Sequence, residues 1–477
     1  CVERFVNHMQ LRVERTERTI IKKSHPNWSA CRQLCSFSRK LGNCAVYTLR
    51  QRFFAKEPVM SRSEFDNELK AKYPRDYRAM PSAASAQRQG QIVAKQFKSF
   101  AKAKAEYKKH PEKFKGEPKL PGYKKKYRTF FVGRNGYQIK DGLLTITSGE
   151  DFGLKPIPVR CCQNQVFNAK ATEAVAGDLR IVPLGNSIAI ELTYHVTEEK
   201  PKESVNLDPN FALVCDPGID NFVTIVSTKP GVKPCLIKGT GIKSLNQKYN
   251  KEKAELQSKM DKLANEAKEA RGDKKKPKNY LDHIRIKGEK RDRQINDWLH
   301  KAANLLVDTC LTFGLGKIVF GLNPDWKQKA NLGSVNNQKF VMLPHKKFID
   351  MVKYKAQSHG IEVIVREESY TSQASALDFD EIPTYGESFP QKPFSGTRIE
   401  RGLYKSSAGQ EINADVNGAI NIGRKEFGNE WLEKRLMLDR GVLDMPVAIR
   451  NLHTRVDIGT LLEVRGGPYE SPRVSVG

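Results

Sequence analysis

Several features that would assign a chain to a common protein class are missing from this sequence of 477 residues. No apolar run approaches the roughly 20 residues of a membrane-spanning helix, and no signal-peptide pattern opens the chain. The nine cysteines are scattered without a CxxC pair, which favours reduced thiols in an intracellular protein over a disulfide framework. The nine histidines lack HxxH and HExxH spacing, so no metal or general-base role is assigned to them. Because Cys1 stands in place of a methionine, we expect that a leader or the true start is absent.

Acidic residues are also in short supply. Asp and Glu number 54 against 82 Lys and Arg, which leaves a net charge of +28 and a pI near 9.6. Such a balance predicts a polyanionic partner such as nucleic acid, although a ribosome-associated protein has the same balance. The length allows roughly two to four domains, each with a core of its own.

The stretch 411–425, EINADVNGAINIGRK, places one carboxylate among small amides and glycine where a packed helix would carry leucine. Val416, Ile420 and Ile422 recur at helical spacing, so we expect a helix that begins near Asp415 and packs against a sheet. An N-terminal helix cap is the alternative role for this aspartate.

Two other stretches end in acids. The sequence FALVCDPGIDNFVTIVS (211–227) reads as strand, turn and strand with Asp216 at the first strand's end, and IEVIVREESYTS (361–372) ends its apolar run at Glu367 and Glu368. Three buried elements that each deliver a hard oxygen ligand are what a two-metal phosphodiesterase site needs, with Mg²⁺ or Mn²⁺ ions about 3.5–4 Å apart. One ion would activate water and the other the leaving 3′ oxygen.

The order Asp216, Glu368, Asp415 resembles the split RuvC nuclease domain of the superfamily that contains TnpB, Fanzor and the type V CRISPR effectors. Four long blocks look like consecutive TnpB segments: GLNPDWKQ (321–328), NLGSVNNQKFVMLP (331–344), YKAQSHGIEVIVREESYTS (354–372) and GTRIERGLYKSSAGQEINADVNGAINI (396–422). The resemblance implies an α/β multidomain, bilobed protein. Its parts would be a β-barrel wedge domain (1–23 and 116–206), an α-helical recognition lobe (24–115), an RNase H-like RuvC domain (207–429) with a helical insertion (about 243–300), and a C-terminal tail (430–477).

The middle acid departs from much of the family. The strand KIVFGLNP carries Phe320 and Gly321 where many relatives have glutamate. A branch with eukaryotic Fanzors and some bacterial TnpBs instead places the glutamate three residues before a Thr-Ser pair, which here implies Glu368. Neighbouring side chains of an extended chain point to opposite faces, so Glu367 is the alternative ligand rather than a fourth one.

The sequence also departs from much of the family in lacking the cysteines of a zinc site. Many relatives have two CxxC pairs between the second and third acids, but residues 369–414 contain no cysteine and SQASALD stands at 372–378. Because a structural zinc site closes with four ligands, we expect none in this target-nucleic-acid-binding segment (about 369–411).

Basic residues along the chain are candidates for nucleic-acid contact. A lysine-rich helix is predicted over 91–114 and a proline-punctuated basic linker over 118–130; the alternatives are a solvated helix face and a plain connector. In relatives, the region after KIVF lies near the cleft, and arginines of GTRIERG would hold scissile-strand phosphates; a core tryptophan and surface arginines are the competing interpretations. The candidates are Lys98, Lys102, Lys109, Tyr123, Lys124, Lys125, Trp326, Lys327, Arg398 and Arg401.

The sequence therefore predicts an RNA-guided DNA endonuclease that binds a structured guide RNA and target double-stranded DNA and uses two Mg²⁺ (or Mn²⁺) ions held by Asp216, Glu368 and Asp415. The guide comes from the resemblance alone. A nuclease-silent RNA-guided binding protein and an RNA-independent transposase or recombinase of RNase H-like fold are the alternatives. We expect the protein in the cytoplasm or nucleoid of a bacterium, or in the nucleus of a eukaryote. The cluster KKKPK within 272–280 does not decide between the two hosts.

Overall fold

The computed structural model describes residues 11–114, 116–133, 136–147, 149–159, 175–198, 206–271, 278–323, 343–384, 394–400, 402–452 and 457–463. The chain divides into two compact units. The first contains Cys1–Glu198 and Leu281–Glu289, and the second contains Glu199–Tyr280 and Lys290–Gly477.

The first unit contains a four-stranded sheet in the order β1-β7-β6-β2. Its strands are β1 (Leu11–Ile21), β2 (Phe130–Val132), β6 (Val175–Pro183) and β7 (Ile188–Glu198). Strand β1 pairs antiparallel with β7 along its whole length, so the N-terminal stretch returns to the region after residue 116, as expected.

A second, three-stranded sheet joins β3 (Tyr137–Lys140), β4 (Leu143–Ile146) and β5 (Ile157–Pro158). Asp141 and Gly142 link β3 to β4 with φ of 51° and 72°, the left-handed pair that an Asp-Gly hairpin turn requires. The described strands form these two sheets rather than one closed barrel, so the predicted barrel stays a prediction.

The first unit also contains four helices whose boundaries lie near Pro58, Pro74 and Pro81: α1 (Trp28–Phe54), α2 (Arg62–Lys72), α3 (Pro74–Arg78) and α4 (Ala83–Lys109). The basic helix begins before the expected residue 91 because Ser82 caps it by accepting a hydrogen bond from Ser85 N, and it ends just before Pro111. Leu34 and Val93 of these helices share one core with Phe130 and Ile188 of the sheet.

The second unit is built on a six-stranded sheet in the order β12-β11-β8-β9-β10-β16. The strands are β8 (Asp208–Asp216), β9 (Asn221–Ser227), β10 (Cys235–Lys238), β11 (Leu315–Gly321), β12 (Glu362–Arg366) and β16 (Val447–Ile449). The first three form an antiparallel meander, whereas β11 runs parallel to β8 and β12 parallel to β11. The carboxyl ends of β8, β11 and β12 therefore meet at one edge of the sheet.

Helices cover both faces of this sheet, in line with the buried pattern of all seven residues of β9. They are α5 (Thr240–Arg271), α6 (Lys278–Phe313), α7 (His345–Gln357), α8 (Ala414–Phe427), α9 (Glu430–Leu443) and α10 (Ile458–Leu462). The insertion runs to Phe313 rather than about 300, because Leu306 and Cys310 continue the stripe of α6 that is buried in the core. Among the helices of the described residues, none combines the length and apolar character needed to cross a membrane.

A small antiparallel sheet precedes α8. It contains β13 (Thr397–Glu400), β14 (Leu403–Lys405) and β15 (Glu411–Asn413). The last strand runs directly into α8, so this sheet fixes where the helix begins.

Candidate active site

Asp216 is the last residue of β8, behind the fully buried Val214 and Cys215 that anchor the strand in the core. The chain then turns through Gly218, where a Cβ would lie 2.7 Å from the Asn221 carbonyl oxygen, so the turn requires glycine. The Asp216 carboxylate reaches α8: its Oδ2 lies 2.8 Å from the point that a Cβ on Gly418 would occupy. Only a glycine at that helical position lets the carboxylate approach so closely.

Asp415 is the second residue of α8 and does not cap it. The cap is Asn413, whose Oδ1 accepts hydrogen bonds from Asp415 N at 3.0 Å and Val416 N at 3.3 Å. The capping alternative is therefore excluded, and the carboxylate is available for another role. Asn221 Nδ2 donates to Asp415 Oδ2, and Lys238 Nζ donates to Asn221 Oδ1 at 2.7 Å. This relay fixes one oxygen of Asp415.

Glu368 lies two residues beyond the end of β12. Its backbone N–H donates to Asn323 Oδ1 at 3.1 Å, and its carbonyl accepts from Thr371 Oγ1 at 2.8 Å. Glu367, by contrast, accepts hydrogen bonds from Lys425 Nζ and from Ser369 N, both at 2.7 Å. The two adjacent glutamates thus have different environments, and the one engaged by a lysine is Glu367.

Gly321 is the last residue of β11. It pairs with Arg366 of β12. A Cβ on Gly321 would lie 2.4 Å from Ile422 Cδ1 and 3.0 Å from Glu368 Oε2. The carboxylate of Glu368 therefore reaches the space in which a side chain at the end of β11 would begin.

Two buried amides of α8 hold the loop that follows Glu368. Asn417 donates to the Ala374 carbonyl at 2.8 Å and accepts from Ala376 N at 2.9 Å; Asn421 donates to the carbonyls of Thr371 at 2.9 Å and Ala374 at 2.7 Å. Both side chains are fully buried. The sequence analysis assigned no role to these two asparagines. Their spacing of four residues, at helix positions that usually carry leucine, was the feature that could have indicated one. One helix thus carries Asp415 and positions the loop next to Glu368.

The electrostatics of the acids differ. Burial raises the pKa of Asp216 well above its usual value, and the negative charges of Glu368 and Asp415 raise it further. Burial also raises the pKa of Glu368 to about 7. Burial acts in the same direction on Glu367, but hydrogen bonds from Lys425 and Ser369 hold its pKa below the usual value. Asp216 and Glu368 are thus the acids that a nearby cation would stabilise in ionised form.

The donor set fits divalent ions in kind, because carboxylate oxygens are the ligands that Mg²⁺ and Mn²⁺ prefer. In the described part of the chain, however, no three His, Cys, Asp or Glu side chains are close enough together to hold one ion jointly. The acids influence one another's charge without converging on a single point. The residues therefore fit divalent ions chemically, whereas their placement does not fit one ion shared by all three.

The raised pKa of Glu368 predicts a pH-dependent stability of the protein in chelator. Its carboxyl keeps a proton in the folded state up to about pH 7, against an ordinary value of 4.5, so this contribution is present below about pH 4.5 and is lost as the pH rises through 7. Relative to Glu368→Gln, the wild type should lose on the order of 1–3 kcal/mol of unfolding free energy between about pH 5 and pH 8. Urea denaturation of both proteins measures this difference; one that stays constant across the range contradicts it.

The predicted nucleic-acid residues lie in different places. Arg398 of β13 lies beside the acids, with Nη2 at 3.9 Å from Asp415 Oδ1. The α4 lysines and the linker residues belong to the first unit, where their side chains are exposed: Lys98, Lys102, Lys109, Tyr123, Lys124 and Lys125. Trp326, Lys327 and Arg401 lie outside the described residues, as do residues 274–277 of the KKKPK cluster.

Serines and aspartates form a hydrogen-bond network in the segment for which no zinc site is expected. Asp378 accepts hydrogen bonds from Ser375 Oγ at 2.6 Å, Ser407 Oγ at 2.7 Å and Ser395 Oγ at 3.1 Å. Asp380 accepts from Ser375 N at 2.7 Å and Ser395 N at 3.1 Å. These bonds join three stretches of chain: 375–380, Ser395 and Ser407.

We expect this segment to fold without zinc. Treatment with a zinc chelator should leave the melting temperature unchanged, whereas Asp378→Asn, which weakens several charge-assisted hydrogen bonds, should reduce stability by about 1–3 kcal/mol. Thermal denaturation measures both effects, and elemental analysis provides the control. One tightly bound zinc ion per chain would contradict the expectation.

Comparisons with known proteins cover the stretches that carry the acids. Residues 193–326 match the family described as OrfB_IS605, probable transposase, and residues 345–422 match the Cas12f1-like TNB domain. The first region contains Asp216, and the second contains Glu368 and Asp415.

Among curated proteins, the CRISPR-associated endodeoxyribonuclease Cas12f2 of Micrarchaeota archaeon (strain CG1_02_47_40) is 30% identical over 133 residues. That match covers 27% of this chain and 23% of the relative, so the chain aligns with less than a quarter of that protein's length. Solved structures with lower similarity include a Cas12f1–sgRNA–target DNA complex (15% identity, 83% of each chain, TM-score 0.49) and the mini-RNA-guided endonuclease Cas_phi3 (11% identity, 86% of this chain, 92% of the other, TM-score 0.43).

Proposed function

We propose that this chain, a TnpB-like relative of the type V CRISPR effectors, is an RNA-guided DNA endonuclease that cuts with Asp216, Glu368 and Asp415. The two matched family regions and the Cas12f2 relative confirm the relationship. The assignment to the Fanzor-like branch with a moved glutamate remains part of the proposal. The observation that carries the proposal is that three distant segments bring acids to one sheet edge, where Gly418 and Gly321 leave room for two of the carboxylates.

The nuclease chemistry follows from the side chains at that edge. When bound, two Mg²⁺ or Mn²⁺ ions would lower the pKa of a water molecule and stabilise charge on a phosphodiester displaced in line. Asp216, Glu368 and Asp415 would hold them. Asn221 keeps one oxygen of Asp415 occupied, which leaves Oδ1 as the donor. Arg398, whose Nη2 lies 3.9 Å from that oxygen, would contact a phosphate oxygen of the scissile strand.

The order of the sheet supports an RNase H-like nuclease domain: β10-β9-β8-β11-β12 combines an antiparallel meander with two strands parallel to β8. The first unit, which includes the basic linker, is proposed to hold the guide RNA and its duplex with the target DNA. Guide pairing would read the target sequence, and the protein would read a short flanking motif. The net charge of +28 supports a polyanionic partner such as RNA and DNA.

The test begins with the RNA that copurifies when the protein is expressed beside its own genomic flank. We expect one dominant species with a constant scaffold and a variable end. Random host fragments alone would contradict guidance and leave an RNA-independent transposase or recombinase as the better candidate. A dominant RNA with target binding but no cleavage by the wild type would identify a nuclease-silent guided binder instead.

A further inference from the structure

Large aromatic side chains are exposed at the C-terminal end of α1. Tyr47 is 49%, Phe53 44% and Phe54 61% exposed. Tyr47, Arg50 and Phe54 are spaced three and four residues apart, so they lie on one face of the helix. The opposite face of α1 is buried in the core of the first unit. Hydrophobic burial therefore does not account for this group of rings.

The rings are held in place before any ligand binds. The Arg50 guanidinium lies 5.5 Å from the ring centre of Phe54 and 5.8 Å from that of Tyr123, and its Nη1 donates to the Pro121 carbonyl at 3.1 Å. Asn43 accepts from Lys124 N at 2.9 Å and donates to Lys124 O at 3.1 Å. The linker is thus fixed along α1, and Tyr123, which is 51% exposed, contacts the same Arg50 guanidinium as Phe54.

Positive charge surrounds the rings. Residues 91–128 contain thirteen Lys and Arg against three Asp and Glu. Lys124, Lys125 and Lys126 are exposed next to Tyr123. Phe53 contacts Phe100 of α4, with ring centres 5.8 Å apart. Lys104 Nζ in turn lies 5.9 Å from the centre of the Phe100 ring. An apolar protein partner does not require this charge, whereas a polyanion with aromatic bases does.

We propose that Tyr47, Arg50, Phe53, Phe54 and Tyr123 form an aromatic platform on which unpaired bases of a nucleic acid stack. Base stacking on aromatic rings is tolerant of sequence, and the adjacent lysines contact the backbone phosphates. The platform shares its ligand class with the proposed function but does not depend on cleavage. A single-stranded part of a guide RNA and a displaced DNA strand offer the same chemistry.

Binding of fluorescent oligonucleotides to the full-length protein tests the platform. The probes are a single-stranded RNA, a single-stranded DNA of the same sequence, and the corresponding DNA duplex. We expect the double variant Phe54→Ala, Tyr123→Ala to weaken single-strand binding by roughly ten- to hundredfold and duplex binding by less than about threefold. The single strand that loses more affinity identifies the source of the bases.

Matched controls separate stacking from charge and from folding. Phe54→Trp with Tyr123→Phe keeps the rings and should retain affinity, and Met437→Ala with Met445→Ala removes side chains that are 86% and 63% exposed in the second unit. The platform is overturned if the ring-deleting variant, with an unchanged melting temperature, binds single strands like the wild type or loses duplex affinity equally. Asp415→Asn should bind every probe normally, so a failed nuclease proposal is distinguishable from a failed platform.

Discussion

Glu368→Gln is expected to reduce guided DNA cleavage by about a hundredfold or more, whereas Glu367→Gln should leave cleavage within about tenfold of the wild type. The substitution is isosteric but removes a negative charge and a carboxylate ligand oxygen. Glu368 reaches the space beside Gly321 at the end of β11. Glu367 accepts instead from Lys425 Nζ at 2.7 Å.

Glu367→Gln is the matched control because it makes the same chemical change one residue away. It weakens an ion pair with Lys425, whose side chain is only 9% exposed, so it should reduce stability by about 1–3 kcal/mol. The two variants are therefore expected to differ in two measurements. Glu368→Gln should lose cleavage, whereas Glu367→Gln should have a lower melting temperature. Single-turnover cleavage at a temperature where both are folded measures the first effect, and the reverse pattern would show that Glu367 is the ligand.

Gly418→Ala is expected to impair cleavage strongly without unfolding the protein. The added methyl would lie 2.8 Å from Asp216 Oδ2, so the carboxylate must move away from α8. We expect the rate to fall by about 10–100-fold at a fixed Mg²⁺ concentration, because a small misplacement of a catalytic group has an effect of that order. Part of the loss should be recovered at higher Mg²⁺, since the displaced ligand weakens ion binding rather than removing it.

Gly441→Ala provides the control for the change of residue type. Gly441 lies in α9, and a Cβ there would meet nothing within 4 Å. Both substitutions gain up to about 1 kcal/mol of helix propensity, so any difference between them reports the contact with Asp216. Equal activities of the two variants across a Mg²⁺ titration would disprove the close approach.

The sequence was sufficient to predict that acids stand at the ends of elements. Strand, turn and strand around Asp216 and a helix at Asp415 follow from local periodicity and turn residues, and the structure contains both. The cap of that helix was not predictable, because Asn413 and Asp415 are both good capping residues and only the backbone decides between them.

Contacts distant in sequence account for most of what sequence reasoning missed. The ion pair of Glu367 joins residues that are 58 positions apart, and the bond from Asn417 to Ala374 spans 43. No local pattern encodes such pairs. Gly321 signalled only a missing acid; its closeness to Glu368 depends on the register between β11 and β12.

The most direct test of the central claim is cleavage of a plasmid that carries the guide-matched target and its flanking motif. The protein is purified with its own RNA, and wild type and Asp415→Asn are compared in Mg²⁺. We predict cutting of the matched plasmid by the wild type alone, none of an unmatched plasmid, and unchanged target binding by the variant. Equal cutting by both proteins, or cutting that ignores the guide, would contradict RNA-guided cleavage by these three acids.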